Sequence, residues 1–363
     1  MQNILVINAG SSSIKLAVFS PTLEPLLTAQ AAGIGSSAAG ELQIGAQKSA
    51  PAVPDHAAAF QLLLKGLAAQ GHGPDSFAAA GHRVVHGGAT LTQPLAVTAD
   101  VLAQIDACSH LAPLHNPHNA AAIRSLMQLM PGMPQIACFD TAFHATCPEV
   151  AQRYAVPQDW HAEGIRRYGF HGLSYAALVR SLRDSGAPLP RRLLACHLGN
   201  GASLCAILDG QSVATTMGYS PLEGLTMGTR SGSIDASAVL DRAERHGISA
   251  TRADLVQRSG LLGLSGHSHD MRAIQQAGTA PARFAVDHFC YWIVRHAGSM
   301  LAAMQGADAI AFTGGIGENA PDIRERVVRQ LAWAGLGPQN THVIPAQEER
   351  QIALHTRDIL ATL

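Results

Sequence analysis

Charge is scarce in this sequence: Asp, Glu, Lys and Arg make up 14% of the 363 residues, and 25 basic side chains nearly cancel 26 acidic ones. A chain so balanced has no basic stripe with which to follow a nucleic-acid backbone, so nucleic acid is not expected as a partner. Cysteine is equally sparse. Cys108, Cys138, Cys147, Cys196, Cys205 and Cys290 lie far apart with no Cys-x-x-Cys pair, which argues against both a zinc site and a disulfide framework and leaves reduced, buried thiols. No stretch reaches the roughly 18 unbroken apolar residues of a membrane span, so no membrane partner is expected. The segment from Met1 to Phe19 has no basic region ahead of a long apolar one. Its Ile4-Leu5-Val6-Ile7 run predicts a buried strand rather than a leader, and the expected location is cytoplasmic.

Apolar residues are abundant, at 47%, enough for two hydrophobic cores in a chain longer than one core usually serves. The first twenty residues predict a hairpin: strand Ile4 to Ile7, a polar turn through Asn8-Ala9-Gly10-Ser11-Ser12-Ser13, and strand Ile14 to Phe19. A similar unit recurs from Leu193 to Leu208 around Leu198-Gly199-Asn200-Gly201-Ala202, which points to one architecture present twice. Apolar faces and stop signals predict helices over residues 55–70, 119–130, 251–258, 280–304, 323–334 and 346–363, with buried strands over 77–85, 135–139 and 309–313. The fold class expected is α/β, two duplicated domains with mixed sheets flanked by helices and a cleft between them. The boundaries expected are 1–143, rejoined by a C-terminal helix at 350–363, and 144–349.

Three glycine-rich turns carry the chemistry. Gly10-Ser11-Ser12-Ser13 combines a residue free to adopt positive φ with small hydroxyls that let main-chain N–H groups approach an anion. Ser11 and Ser13 are therefore candidate phosphate contacts, and Lys15, on the face of Ser13, a candidate point charge. The tip Gly199-Asn200-Gly201, just after His197, has the same competence; a plain type I′ Asn-Gly turn is the alternative. The run from Ala309 to Thr313 followed by Gly314-Gly315-Ile316-Gly317-Glu318-Asn319, with Pro321 opening a helix, predicts strand, glycine loop and helix N-terminus, which suits an anion. Gly315, Ile316, Gly317 and Asn319 are the candidates there. A dinucleotide fingerprint lacks its third glycine, and no Gly-x4-Gly-Lys-Ser/Thr loop occurs. The pattern predicts a nucleotide phosphate tail held by both halves, as in the actin, heat-shock and sugar-kinase plan.

Asn8 to Lys15 also resembles the N-terminal signature of the acetate kinases. So do Gly81-His82-Arg83-Val84-Val85-His86-Gly87-Gly88, Leu111 to Pro117, Phe139 to His144, Arg167 to Gly172, Pro221 to Gly232 and Gly314 to Asn319, in that family's order from residue 3 to about 355. The resemblance implies that Arg83 and Arg230 bind the carboxylate and the transferring phosphoryl, a task suited to a planar, always charged fork of donors. It implies that Asp140 orients the acceptor or assists the metal, that His171 stabilises the phosphoryl, and that His197 contacts nucleotide phosphates. Asn8 and Glu348, with Glu349 adjacent, resemble the residues that hold Mg2+, with Mn2+ an alternative ion. Val85, Leu114, Phe170 and Pro221 would line an apolar acceptor pocket, and Asp270 and Arg272 would lie at the adenine. Ser233 and Ala236 stand where the family usually has Asp and Pro, and His267 and His269 are additional.

The activity implied is reversible in-line phosphoryl transfer between ATP and acetate, giving ADP and acetyl phosphate, by a homodimer. A carboxylate is already a nucleophile at neutral pH, so positioning and charge stabilisation suffice. A propionate or longer-chain acyl kinase is the near alternative. A nucleotide-driven switch or filament protein, and a metallohydrolase built on the His-rich stretches His115 to His118 and His267 to His269, come from other classes.

Overall fold

The computed structural model describes residues 2–36 and 39–363 and divides into two compact units. The first runs to Ala142 and includes Gln347–Leu363; the second is Phe143–Ala346. The second unit thus ends before Glu348 and Glu349, which belong with the first rather than with the second domain to which the sequence assigned them.

In the first unit, strands β1 (Asn3–Ala9), β2 (Ser13–Phe19), β3 (Pro25–Ala32), β4 (Glu41–Ile44), β5 (Gln47–Ser49), β6 (Phe77–Val84), β7 (Leu95–Ala96) and β8 (Gln135–Phe139) form one sheet in the order β5-β4-β3-β2-β1-β6-β8-β7. β1 is antiparallel to β2 and parallel to β6, and β6 is parallel to β8. The parallel pairings require crossovers, which the helices His56–Ala69 and Asn116–Leu129 provide. The Asp55 carboxylate caps the first by accepting from the Ala58 N–H at 2.8 Å. Pro117 opens the second in its first turn, where a missing N–H costs nothing. That helix therefore begins before residue 119, the start expected from periodicity.

The second unit has strands β9 (Arg192–Leu198), β10 (Ala202–Leu208), β11 (Gln211–Thr215), β12 (Ala309–Thr313) and β13 (Thr341–Val343), ordered β11-β10-β9-β12-β13. β9 is antiparallel to β10 and parallel to β12, as β1 is to β2 and β6. The hairpin-plus-parallel-strand pattern is the duplication that the sequence suggested, and the α/β class with two mixed sheets flanked by helices is what forms. The helix Ala280–Met304 spans the range expected, capped by the Thr279 hydroxyl.

The glycine run departs from expectation, and the closing helix forms within the range expected. Gly314–Asn319 is itself a short helix following β12 directly, and a separate helix Pro321–Gln330 follows it. Gly314, at φ +81°, brings the chain against the Leu198 carbonyl of β9, closer than a Cβ would permit. The closing helix is Glu348–Leu360. It lies on β6 at Gly81, where a side chain would collide with Thr356 and Ile352. Among the described residues no helix is long and apolar enough to cross a membrane.

Candidate active site

Within the first unit the chemistry gathers at the end of β6. Parallel pairing of Arg83 with Cys138 and Val84 with Phe139 brings Asp140, one residue beyond β8, alongside Arg83. Arg83 Nη2 donates to Asp140 Oδ2 at 2.6 Å, and Nε lies 3.2 and 3.1 Å from Oδ1 and Oδ2. The Asp140 carboxylate is 2% exposed, so this fork supplies the partner that a buried charge requires. The third guanidinium nitrogen, Nη1, reaches Asn8 Oδ1 on β1 at 3.4 Å. Burial alone would depress the guanidinium, but Asp140 and Glu348 together raise it above its ordinary value. Glu348, at the start of the closing helix, is pushed up to about 6, chiefly by burial and further by Asp140 and Glu349 against the pull of Arg83.

Two asparagines of the Asn116–Leu129 helix pin this end of the sheet. Asn119 accepts from the Val85 N–H at 3.1 Å and donates to the Ala9 carbonyl at 2.8 Å, joining the segment after β6 to the first hairpin. Asn116 accepts from the His86 N–H and donates to the His86 carbonyl. At the hairpin tip Gly10 donates to the Ser13 carbonyl at 2.8 Å, and the Gly10 carbonyl meets His56 Nε2 at 2.8 Å. Ser11 and Lys15 are exposed and Ser13 half-buried.

In the second unit the helix Gly172–Asp184 addresses the β9–β10 hairpin with its first turn. His171, Ser174 and Tyr175 stand at i, i+3 and i+4, on one face. His171 Nδ1 is 2.9 Å from Ser203 Oγ, Ser174 Oγ is 2.8 Å from His197 Nδ1, and Tyr175 Oη is 2.6 Å from Ser203 Oγ. His197 and Ser203 are direct partners across the hairpin, and the His171 and His197 rings stack at 4.1 Å. His171 has φ 60°, left-handed backbone that a non-glycine residue adopts at a cost. A Cβ on Gly201 would stand 3.1 Å from His171 Nε2 and 3.2 Å from Arg230 Nη2, so both groups face the bare backbone of the tip. Arg230 Nη1 is anchored on the Pro221 carbonyl at 2.7 Å.

The residues named from sequence therefore fall into two sets. Asn8, Arg83, Asp140 and Glu348 come together in the first unit, and His171, His197, Gly201, Pro221 and Arg230 in the second. Asn200 joins the latter set: its carbonyl accepts from the Gly228 N–H, and only a glycine at 228 leaves room for its side chain. Val85 and Phe170 are buried, whereas Leu114 is 52% exposed. Asp270 caps the helix Met271–Ala277 by accepting from Arg272 and Ala273, and Arg272 is exposed. Asn319 donates to the Gly315 carbonyl at 2.9 Å inside its own short helix.

Two details of the glycine turns differ from expectation. Neither Gly10 nor Gly201 has positive φ, and neither does Asn200, which removes the type I′ alternative for the second tip. At the glycine helix, the Glu318 carboxylate accepts from both the Gly314 and Ala346 N–H groups at 3.0 Å, so one amide of that N-terminus has an internal partner. Ser233, the departure from the family pattern, accepts from the Gly224 N–H through its hydroxyl and donates its own N–H to the Gly224 carbonyl. Sequence reasoning did not find Ser174, Tyr175, Ser203, Asn116 or Asn119. The run from His171 to Tyr175 held a signal in its i, i+3, i+4 spacing; the asparagines held none. No cluster of three or more His, Cys, Asp or Glu suited to a metal exists among the described residues.

The Acetokinase family model matches residues 3–358. A curated acetate kinase of Nitrobacter hamburgensis is 42% identical over 99% of this chain and 96% of its own length. Among solved structures, a propionate kinase from Francisella tularensis superposes with a TM-score of 0.92 at 35% identity, over 99% of this chain and all of the other. An acetate kinase from Porphyromonas gingivalis does so at 0.91 and 34%, with the same coverage.

Proposed function

The chain belongs to the acetokinase family, and from that membership we propose that it transfers the γ-phosphoryl of ATP to acetate, reversibly, giving acetyl phosphate and ADP. Arg83 carries this reading: the buried Asp140 carboxylate fixes its guanidinium along the Nε–Nη2 edge, leaving Nη1 toward Asn8. A preset cation of this kind holds a carboxylate or phosphoryl oxygen without reorganising as charge moves. Arg230, anchored on Pro221, and His171, facing the tip of the second hairpin, supply donors for phosphoryl oxygens in the same way. The acceptor carboxylate needs no general base, because it is ionised at neutral pH. Ser11, Ser13, Lys15, His197, Asn200 and the Gly315 to Asn319 turn are assigned to the nucleotide, and Val85, Leu114, Phe170 and Pro221 to the acid.

The residues present fit a divalent cation. Burial, with the charges of Asp140 and Glu349, raises Glu348 to about 6, a repulsion that a bound Mg2+ would relieve. Asn8 and Glu348 offer the oxygen donors such an ion prefers. When bound, it neutralises phosphate charge. We place the activity in the cytoplasm and in a homodimer.

The test is incubation with MgATP and acetate, propionate, butyrate or no acid, trapping acyl phosphate with hydroxylamine. Hydroxamate with acetate is expected; none with any acid would refute the kinase reading. A preference for propionate would move the assignment toward the Francisella-like neighbour, a shift that one methylene makes at about 1–3 kcal/mol.

A further inference from the structure

The hydroxyls behind His171 have few ways to place their protons. Ser203 Oγ lies between His171 Nδ1 at 2.9 Å and Tyr175 Oη at 2.6 Å, and both Ser203 and Tyr175 are fully buried. Each hydroxyl has one proton to donate. Burial raises the Tyr175 phenol well above its ordinary range, so it keeps its proton, and Ser203 Oγ is the acceptor within its reach. The serine must then direct its own proton to the remaining partner, His171 Nδ1. The reverse order would strand a buried O–H without an acceptor.

We propose that Tyr175 and Ser203 are positioning residues that hold His171 as the neutral tautomer with its proton on Nε2, aimed at the anion over the Gly199-Asn200-Gly201 tip. An Nδ1 that accepts from serine cannot also carry a proton, so imidazolium is disfavoured and the ring serves as an oriented neutral donor. Arg230 approaches the same point as Nε2 and opposes a second positive charge, His197 stacks on the ring face, and Tyr175 is protonated. The left-handed backbone of His171 fits a ring held in one required orientation. The proposal deepens the kinase reading, because it rests on His171 meeting the transferring phosphoryl.

Full-length protein labelled with 15N-histidine tests it, the His171 signals being assigned by their loss in His171→Gln. At pH 7 the wild type is expected to show unprotonated Nδ1 and protonated Nε2. Tyr175→Phe and Ser203→Ala should each mix the tautomers and move the acid limb of the kcat profile to higher pH. Each should lower kcat about 10- to 100-fold with little change in the KM for ATP, the scale on which loss of a histidine's outer hydrogen-bond partner is felt. A wild-type ring protonated at Nδ1, or an unchanged tautomer and pH profile in variants with native amide spectra, would overturn the proposal. If neither variant folds, the wild-type spectrum alone decides. The tautomer is read without turnover, so a wild type that forms no acyl phosphate refutes the functional reading while leaving this one to its own measurement.

Discussion

The two hairpin tips are built from similar sequences on equivalent strands and end in different surroundings. At the first, Gly10 is uncrowded: a Cβ there would make only ordinary contact with Ser13 atoms at 3.6 Å, and Ser11, Ser12 and Lys15 are exposed. At the second, Gly201 lies under His171 and Arg230, and Asn200 is locked by Gly228. The first tip is held from behind, through the backbone carbonyls that His56 and Asn119 engage, and Arg83 sits away from it on β6. The second tip is approached from the front by side chains. A glycine-rich turn can thus signal a free backbone or a crowded one, and the sequence motif looks the same in both.

Removing the off-tip cation has the largest expected effect. Arg83→Ala should cut acyl-phosphate formation by about a thousandfold or more, the scale of losing a preset charge-stabilising donor, with the circular-dichroism spectrum kept. Near-normal turnover would show that the first unit's chemistry lies at its tip after all. Gly201→Ala comes next. Its methyl must displace His171 and Arg230 by a few tenths of an ångström, and we expect about a 10- to 100-fold loss in kcat without loss of thermal stability.

Glu348→Gln probes the charge balance around Arg83 through stability. Because the folded state raises Glu348 from 4.5 to about 6, the native protein binds that proton more tightly than the unfolded chain. Its contribution is therefore most favourable below 4.5 and declines as pH rises through 6. The glutamine variant should gain about 1–2 kcal/mol over the parent between pH 4.5 and 7 in urea titrations; parallel curves at the two pH values would contradict the burial assigned to Glu348. Gly10→Ala should do least, changing kcat less than about twofold and stability by less than about 0.5 kcal/mol. An effect matching that of Gly201→Ala would erase the contrast between the tips.

Much of this was legible along the chain. Alternating and continuous apolar runs marked β1, β2, β9, β10 and β12, and stop signals marked the helix His56–Ala69, because those patterns reflect contacts within an element. Arg83, Asp140, Glu348, His171 and Arg230 were named by resemblance to a family and fall into two local sets. The glycine run was misread as a loop, since Gly314 to Asn319 has low helix propensity; the packing of Gly314 and Gly317 against β9 and β12 decides otherwise. The role of Asn119 was not legible at all, and that of Tyr175 only through its i+4 spacing from His171.

Sequence by itself determined the α/β class, the repeated hairpin and the residue types able to handle phosphate, because strand period, turn chemistry and charge are local properties. Only the tertiary structure decided which glycine is crowded, which carboxylate holds Arg83 and which hydroxyl orients His171. Those answers depend on groups that sheet order brings together from distant positions. Ser203 faces His171 because β10 pairs with β9 beneath the Gly172–Asp184 helix, and Asp140 meets Arg83 because β8 lies parallel to β6. A hydrogen bond is decided within tenths of an ångström, a precision that no spacing along the chain encodes.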